Sequence, residues 1–148
     1  MVLKPSATRA IEAELAATFP VDHIGIAVRD TDTALHVYHD VLGLVLESSE
    51  IDLVANLKVT FLRGANTRLE IIEPLPGDSV VARFLERRGE GMHHVCFLVP
   101  DIEATLQSFS AGGYQPIDLT PRCGRKGELF AFIHPKTTNG VLIELYQR

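Results

Sequence analysis

Short alternating apolar runs and two helical stretches follow one another along this chain in an order that occurs twice. VDHIGIAV, residues 21–28, is a strand-length run of β-branched residues, followed at once by the turn and cap residues Asp30, Thr31 and Asp32. Ala34, Val37, Tyr38, Val41 and Leu42 recur at helical spacing, which predicts a helix with these residues on its buried stripe, ending at Gly43. LVLESSEI, LKVTFLR and NTRLEIIE read as three strands, with RGANT as the turn between the last two. The first module, residues 21–75, is therefore βαβββ. EPLPGDS is a turn-rich linker leading into a helix, SVVARFLERR, capped by Asp78 or Ser79, so that residues 76–90 connect module to module. From MHHVCFLV the pattern restarts: a strand, a helix over 102–111 capped by Asp101, a strand YQPIDL, a Gly-rich bend PRCGRKGE, and strands LFAFIHP and GVLIELY. The second module, residues 91–148, is again βαβββ. Either module alone leaves a sheet face uncovered, so 21–148 reads as one α+β domain. Ahead of it, in an extension over residues 1–20, SATRAIEAELAAT predicts an N-terminal helix with Ser6 as cap and Ile11 and Leu15 on one face, for packing or a dimer contact.

The duplication extends to individual residues. HIGIAVRDTDTALHVYHDVLG lies over HVCFLVPDIEATLQSFSAGG at a constant offset of 71 with no insertion, which places His23 on His94, Val28 on Val99 and Asp30 on Asp101. Each module later ends in an apolar run holding one glutamate, LEII around Glu70 and LIEL around Glu144. Side chains two apart on a strand share a face, so His23 shares one with Gly25 and Ala27, opposite Ile24, Ile26 and Val28. Small neighbours on the histidine's own face suggest a cavity wall. Glu70 and Glu144 each lie opposite flanking apolar residues, and an ionised carboxylate is costly to bury unless paired or metal-bound. Two histidines and two glutamates in matching positions form an N2O2 set suited to one divalent ion. His93 competes with His94 for this role, but alternation turns it to the opposite face and the offset selects His94. His36 and His39 read as surface residues.

Composition narrows the class. The 148 residues are 46% hydrophobic and 22% charged, which suits one soluble globular domain, and a net charge of -5 argues against a nucleic-acid surface. No apolar run approaches the roughly 20 residues of a membrane span. The N-terminus lacks a secretory pattern, and acidic Glu12 and Glu14 weaken a transit-peptide reading. Cys96 and Cys123 do not form a disulfide framework, so a cytoplasmic protein is expected.

The paired βαβββ modules with His/Glu/His/Glu resemble the glyoxalase, or vicinal-oxygen-chelate, superfamily. More narrowly, EPLPGDSVVARFLERRGEGMHHV and FAFIHPKTTNGVLIEL resemble the methylmalonyl-CoA epimerase family. That resemblance implies a half-barrel around one metal, with His23, Glu70, His94 and Glu144 as ligands. The ion would be Co, Mn, Ni, Zn or Mg. It implies inversion of the α-carbon of methylmalonyl-CoA or a similar 2-substituted acyl-CoA, with no nucleic-acid or membrane partner, and a homodimer. Approximate symmetry would set Glu70 and Glu144 on opposite sides of the metal, as the two acid/base groups. His134 and Lys136 of the HPK element would border the acyl-CoA pocket. Arg122, Arg125 and Lys126 either meet the CoA phosphates or form a solvated bend.

Two positions depart from the family. Val59 stands where some epimerases carry a glutamate proposed as a base, and CGRKGELFAF replaces a GAHG-like loop. The rival readings are glyoxalase I, which uses the same ligand types, a non-haem iron dioxygenase, against which a fourth protein ligand speaks, and a non-catalytic binding protein on the same fold.

Overall fold

The computed structural model describes Glu14, Leu15 and residues 18–148; most of the expected N-terminal helix, with Ser6 and Ile11, lies outside them. Eight strands form one sheet: β1 (Val21–Ala27), β2 (Val45–Asp52), β3 (Leu57–Arg63), β4 (Arg68–Pro74), β5 (Gly91–Leu98), β6 (Arg122–Cys123), β7 (Leu129–Ile133) and β8 (Ile143–Gln147). Their order is β2-β3-β4-β1-β5-β8-β7-β6, so the modules meet through the antiparallel pairing of β1 with β5. Within each module the first and last strands run parallel, β1 beside β4 and β5 beside β8. Laid flat, eight strands span roughly 34 Å at the usual strand spacing. Here the two edges meet: Arg125, after β6, donates to the Ile51 carbonyl of β2 at 3.0 Å and pairs with Glu50 at 3.4 Å. The sheet is therefore curled into a half-barrel with a concave and a convex face.

One helix per module covers the convex face. Helix α1 (Thr31–Leu35) is capped by Asp30, and α3 (Ile102–Ala111) by Asp101, with carboxylates accepting from Thr33 N and Ala104 N at 2.7 and 2.9 Å. The caps sit at corresponding positions of the two modules. The last strand of each module adds a second acceptor, Glu73 for Thr31 N and Gln147 for Ile102 N, both at 2.8 Å. Orphan amides at each helix start are thus tied to the sheet. Beneath them lie Val28, Leu62 and Ile71 in module 1, and in module 2 Ile102 and Leu106 of α3 pack onto Val99, Ala131, Ile133 and Leu145. The connecting helix α2 (Val80–Arg88), capped by Ser79, packs Val81 and Leu85 on the other face, against Ala27, Ile72 and Val59. No helix among the described residues is long and apolar enough to cross a membrane.

Three expectations need correction. The first helix continues past Leu35 as a π-helix (His36–Val41), and of its expected stripe only Ala34 and Tyr38 pack, together with Leu35; Val37, Val41 and Leu42 are exposed. A residue of a π-turn advances less around the axis than in an α-helix, so the apolar residues that follow rotate away from the sheet. YQPIDL is not a strand. It touches β7 through the single bridge Pro116–Ile133, because the amides that would extend the ladder donate to side chains instead, Phe132 N to Asp118 Oδ2 and Gln115 N to Thr137 Oγ1, and the short β6 forms inside the expected bend. Ala27, expected on a cavity wall, belongs to the packed core under α2.

Candidate metal centre

The central strands carry the four candidate ligands. Across the sheet they run Glu70 on β4, His23 on β1, His94 on β5 and Glu144 on β8, so the glutamates flank the histidine pair. All four point to the concave side and converge. His23 Nε2 lies 3.2 Å from His94 Nε2, 3.5 Å from Glu70 Oε2 and 3.3 Å from Glu144 Oε2. His94 Nε2 lies 3.1 Å from Glu70 Oε2 and 3.0 Å from Glu144 Oε2. Donors around a divalent ion with bonds near 2.1 Å lie about 3.4 Å apart when tetrahedral and about 3 Å apart when adjacent in an octahedron. The separations of 3.0 to 3.5 Å are close to those values, and the mixed imidazole and carboxylate donors suit the same ions. The residues fit the group.

Electrostatics make the same demand for positive charge. Burial opposes a charged His23, yet hydrogen bonds to Asp22, Cys96, Glu144 and Glu70 outweigh it and hold the protonated form far above the ordinary imidazole range. His94 is raised to about 9 against its own burial, through Glu144 and Glu70. Burial would raise the carboxyls of Glu70 and Glu144, but both are held below the usual carboxylate range by the two histidines. Burial pushes the Cys96 thiol up to about 12, so it stays protonated beside His23.

The site has a local two-fold. Phe61 meets the His23 ring edge-on at 5.3 Å and Phe132 meets the His94 ring edge-on at 6.1 Å. Each phenylalanine is also the cross-strand neighbour of its module's glutamate, Phe61 opposite Glu70 and Phe132 opposite Glu144. Cross-strand neighbours share a face, so these rings stand beside the carboxylates on the concave side. Sequence reasoning passed over both, although the offset of 71 that relates the histidines also relates Phe61 to Phe132.

Gly25 shows how closely His94 is seated. A Cβ there would stand 2.1 to 2.7 Å from three atoms of the imidazole, so only glycine lets the ring lie over β1. Gly25→Ala is expected to displace His94 and lower turnover on the order of 100-fold, as an ångström-scale misplacement can. Unchanged metal affinity and turnover in that variant would show that the ring is free to relocate.

His93 needs a correction. Opposite β1 the register steps from Gly25–His94 to Ile26–Met92, so His93 is the extra residue of a β-bulge and alternation fails there. Its ring stands 5.3 Å from His94 and 4.9 Å from Phe84 of α2 instead of on the far face. Burial and the neighbouring His94 lower its pKa to about 4.

The other candidates make their hydrogen bonds away from the four. His134 caps a short 3-10 turn, with Nδ1 accepting from Lys136 N at 3.0 Å, and Lys136 is exposed. Arg122 pairs with Asp118 at 2.8 Å and lies near Phe130 and Phe132, 5.8 and 5.7 Å from the ring centres, with the Phe132 ring between it and His94. Exposed Lys126 lies 3.8 Å from Glu50. His36 and His39 are exposed, His36 pairing with Asp40.

A curled sheet of two βαβββ modules around a central His/Glu cluster defines a class. The chain belongs to the Glyoxalase/Bleomycin resistance protein/Dioxygenase superfamily, whose family model matches residues 22–132. Within it, the chain stands with the methylmalonyl-CoA epimerases and is an enzyme of the isomerase class. It is 33% identical to the ethylmalonyl-CoA/methylmalonyl-CoA epimerase of Cereibacter sphaeroides, over 86% of this chain and 96% of that one. It is 44% identical to protein YqjC of Bacillus subtilis, over 84% of this chain and 89% of that one. The crystal structure of methylmalonyl-CoA epimerase from Mycobacterium tuberculosis matches with a TM-score of 0.78 at 36% identity, covering 86% of this chain and 87% of that one.

Proposed function

We propose that this chain is a metal-dependent epimerase that inverts the α-carbon of methylmalonyl-CoA or a similar 2-substituted acyl-CoA. The observation that carries this reading is the placement of two carboxylates, the partly buried Glu70 and the buried Glu144, on either side of one histidine pair. Inversion requires a proton to leave one face of the α-carbon and another to arrive at the opposite face. Val59, packed in the apolar cluster under α2, can move no proton, which leaves the two glutamates as the acid/base pair. We assign His23, Glu70, His94 and Glu144 to hold a divalent ion, Co, Mn, Ni, Zn or Mg, which when bound supplies Lewis-acid stabilisation of charge developing on the substrate oxygens. The carboxylates are largely desolvated, and desolvation raises the basicity of a carboxylate once it is unpaired.

Arg122 of β6 and Lys126 of the turn that follows it are assigned to the CoA phosphates, with His134 and Lys136 bordering the acyl pocket. Both thiols, Cys96 and Cys123, are free, which supports a cytoplasmic setting. Val37, Val41 and Leu42 on the first helix and Val45 and Leu46 on β2 are apolar and exposed, which supports a homodimer.

The test is exchange in D2O. Incubated with methylmalonyl-CoA, the metal-loaded protein should place deuterium on the α-carbon and interconvert the enantiomers, while the glutathione adduct of methylglyoxal is left unchanged. Turnover of the adduct alone would move the assignment to a glyoxalase I activity.

A further inference from the structure

The residue before each candidate imidazole ligand occupies a β-bulge, and each bulge sets a side chain against that imidazole's Nδ1. On β1 the register steps from Val21–Phe97 to His23–Cys96, leaving Asp22 as the extra residue; on β5 the extra residue is His93. In a regular strand the preceding side chain would point to the other face. Instead Asp22 Oδ2 lies 2.8 Å from His23 Nδ1, and His93 Nδ1 lies 3.0 Å from His94 Nδ1. Asp22 and His93 are related by the same offset of 71 as the two ligands. Both candidate ligands turn Nε2 toward the glutamates, so an imidazole that gives Nε2 to a metal keeps its proton on Nδ1 and needs an acceptor there.

We infer that Asp22 and His93 are equivalent positioning residues that set the tautomer and aim of the two imidazoles, and that they do so with unequal strength. Asp22 brings a full negative charge, held in place by Arg68 and Arg148. A carboxylate behind an imidazole raises its basicity as a ligand, so His23 is the anchoring side of the centre. His93 accepts as a neutral ring, which requires its own proton to be on Nε2, and its orientation is held by the edge of Phe84. His94 is therefore the more weakly held and more readily exchanged ligand. This inference rests on the metal-binding reading above.

The experiment is release of bound Zn2+ from the loaded protein to a competing chelator, joined to a long-range 1H–15N spectrum of the imidazoles. Asp22→Ala should weaken binding about 10- to 100-fold, with Asp22→Asn between it and the unsubstituted protein because the amide oxygen still accepts. His93→Phe, which keeps an aromatic ring against Phe84, should weaken binding by about tenfold, and His93→Gln should recover most of the loss through its carbonyl. The spectrum should place the His93 proton on Nε2. Unsubstituted protein that takes up no metal overturns the metal reading and this inference with it. Stoichiometric uptake with His93→Phe binding as tightly as the unsubstituted protein, or a His93 protonated on Nδ1, overturns this inference alone.

Discussion

Glu70→Gln should lose epimerisation by about 100- to 10,000-fold, the usual contribution of a positioned acid or base, while still binding metal. An amide oxygen can coordinate a cation but cannot accept the α-proton, so the substitution separates the two duties proposed for this side chain. Its partner remains: Glu144 shares the same two imidazoles at 3.3 and 3.0 Å and continues to work on its own face of the substrate. One enantiomer of methylmalonyl-CoA should therefore keep washing in deuterium, while the other exchanges slowly and the two no longer interconvert. Glu144→Gln should give the mirror result, with exchange surviving in the opposite enantiomer. Chiral analysis of recovered substrate together with mass-spectrometric deuterium content reads both quantities from one incubation. Glu70→Gln epimerising at close to the normal rate would reduce Glu70 to a ligand, and the second acid/base group would then lie elsewhere in the pocket.

His94→Ala should lower metal content from about one ion per chain to a trace, because a four-donor site loses one of its two nitrogens and two carboxylates are left facing a single imidazole. His93→Ala removes only the group behind a ligand and should still reach full stoichiometry at saturating metal. Elemental analysis after gel filtration decides between the two. A ligand that binds only the folded state also raises the melting temperature. A chelator should thus lower Tm for the unsubstituted protein and leave that of His94→Ala unmoved. Stoichiometric metal in His94→Ala with loss in His93→Ala would exchange the roles of the adjacent histidines.

Much of this molecule is legible without its coordinates because it is built twice. Period-2 alternation and the 3.6-residue stripe are local properties, and a constant offset of 71 turns two weak local patterns into one strong pattern. That is why β3 and α3 and the caps Asp30 and Asp101 could be read from residues alone, and why His23 pairs with His94, whereas residues alone leave the cap of the linker helix between Asp78 and Ser79. The convergence of Glu70 and Glu144 on those histidines follows from the same repeat. An isolated glutamate in an apolar strand needs a partner, and duplication supplies matching partners near a common axis.

What the tertiary structure alone decided is where the ladder slips. Whether a strand carries one extra residue depends on the partner strand's register, which no local periodicity encodes. The bulges at Asp22 and His93 are of this kind, and they put two side chains that alternation assigns to the far face behind the candidate ligands. The π-turn that exposes Val37, Val41 and Leu42 lies within an unbroken apolar pattern, and its wider winding cannot be told from α-helical winding by spacing alone. Closure of the half-barrel by Arg125 on Glu50 and Ile51 joins residues about half the chain apart, through a bend whose charges read equally well as solvated. Sequence by itself determined the two modules and the four residues that could share an ion; packing of strand on strand decided what stands behind them.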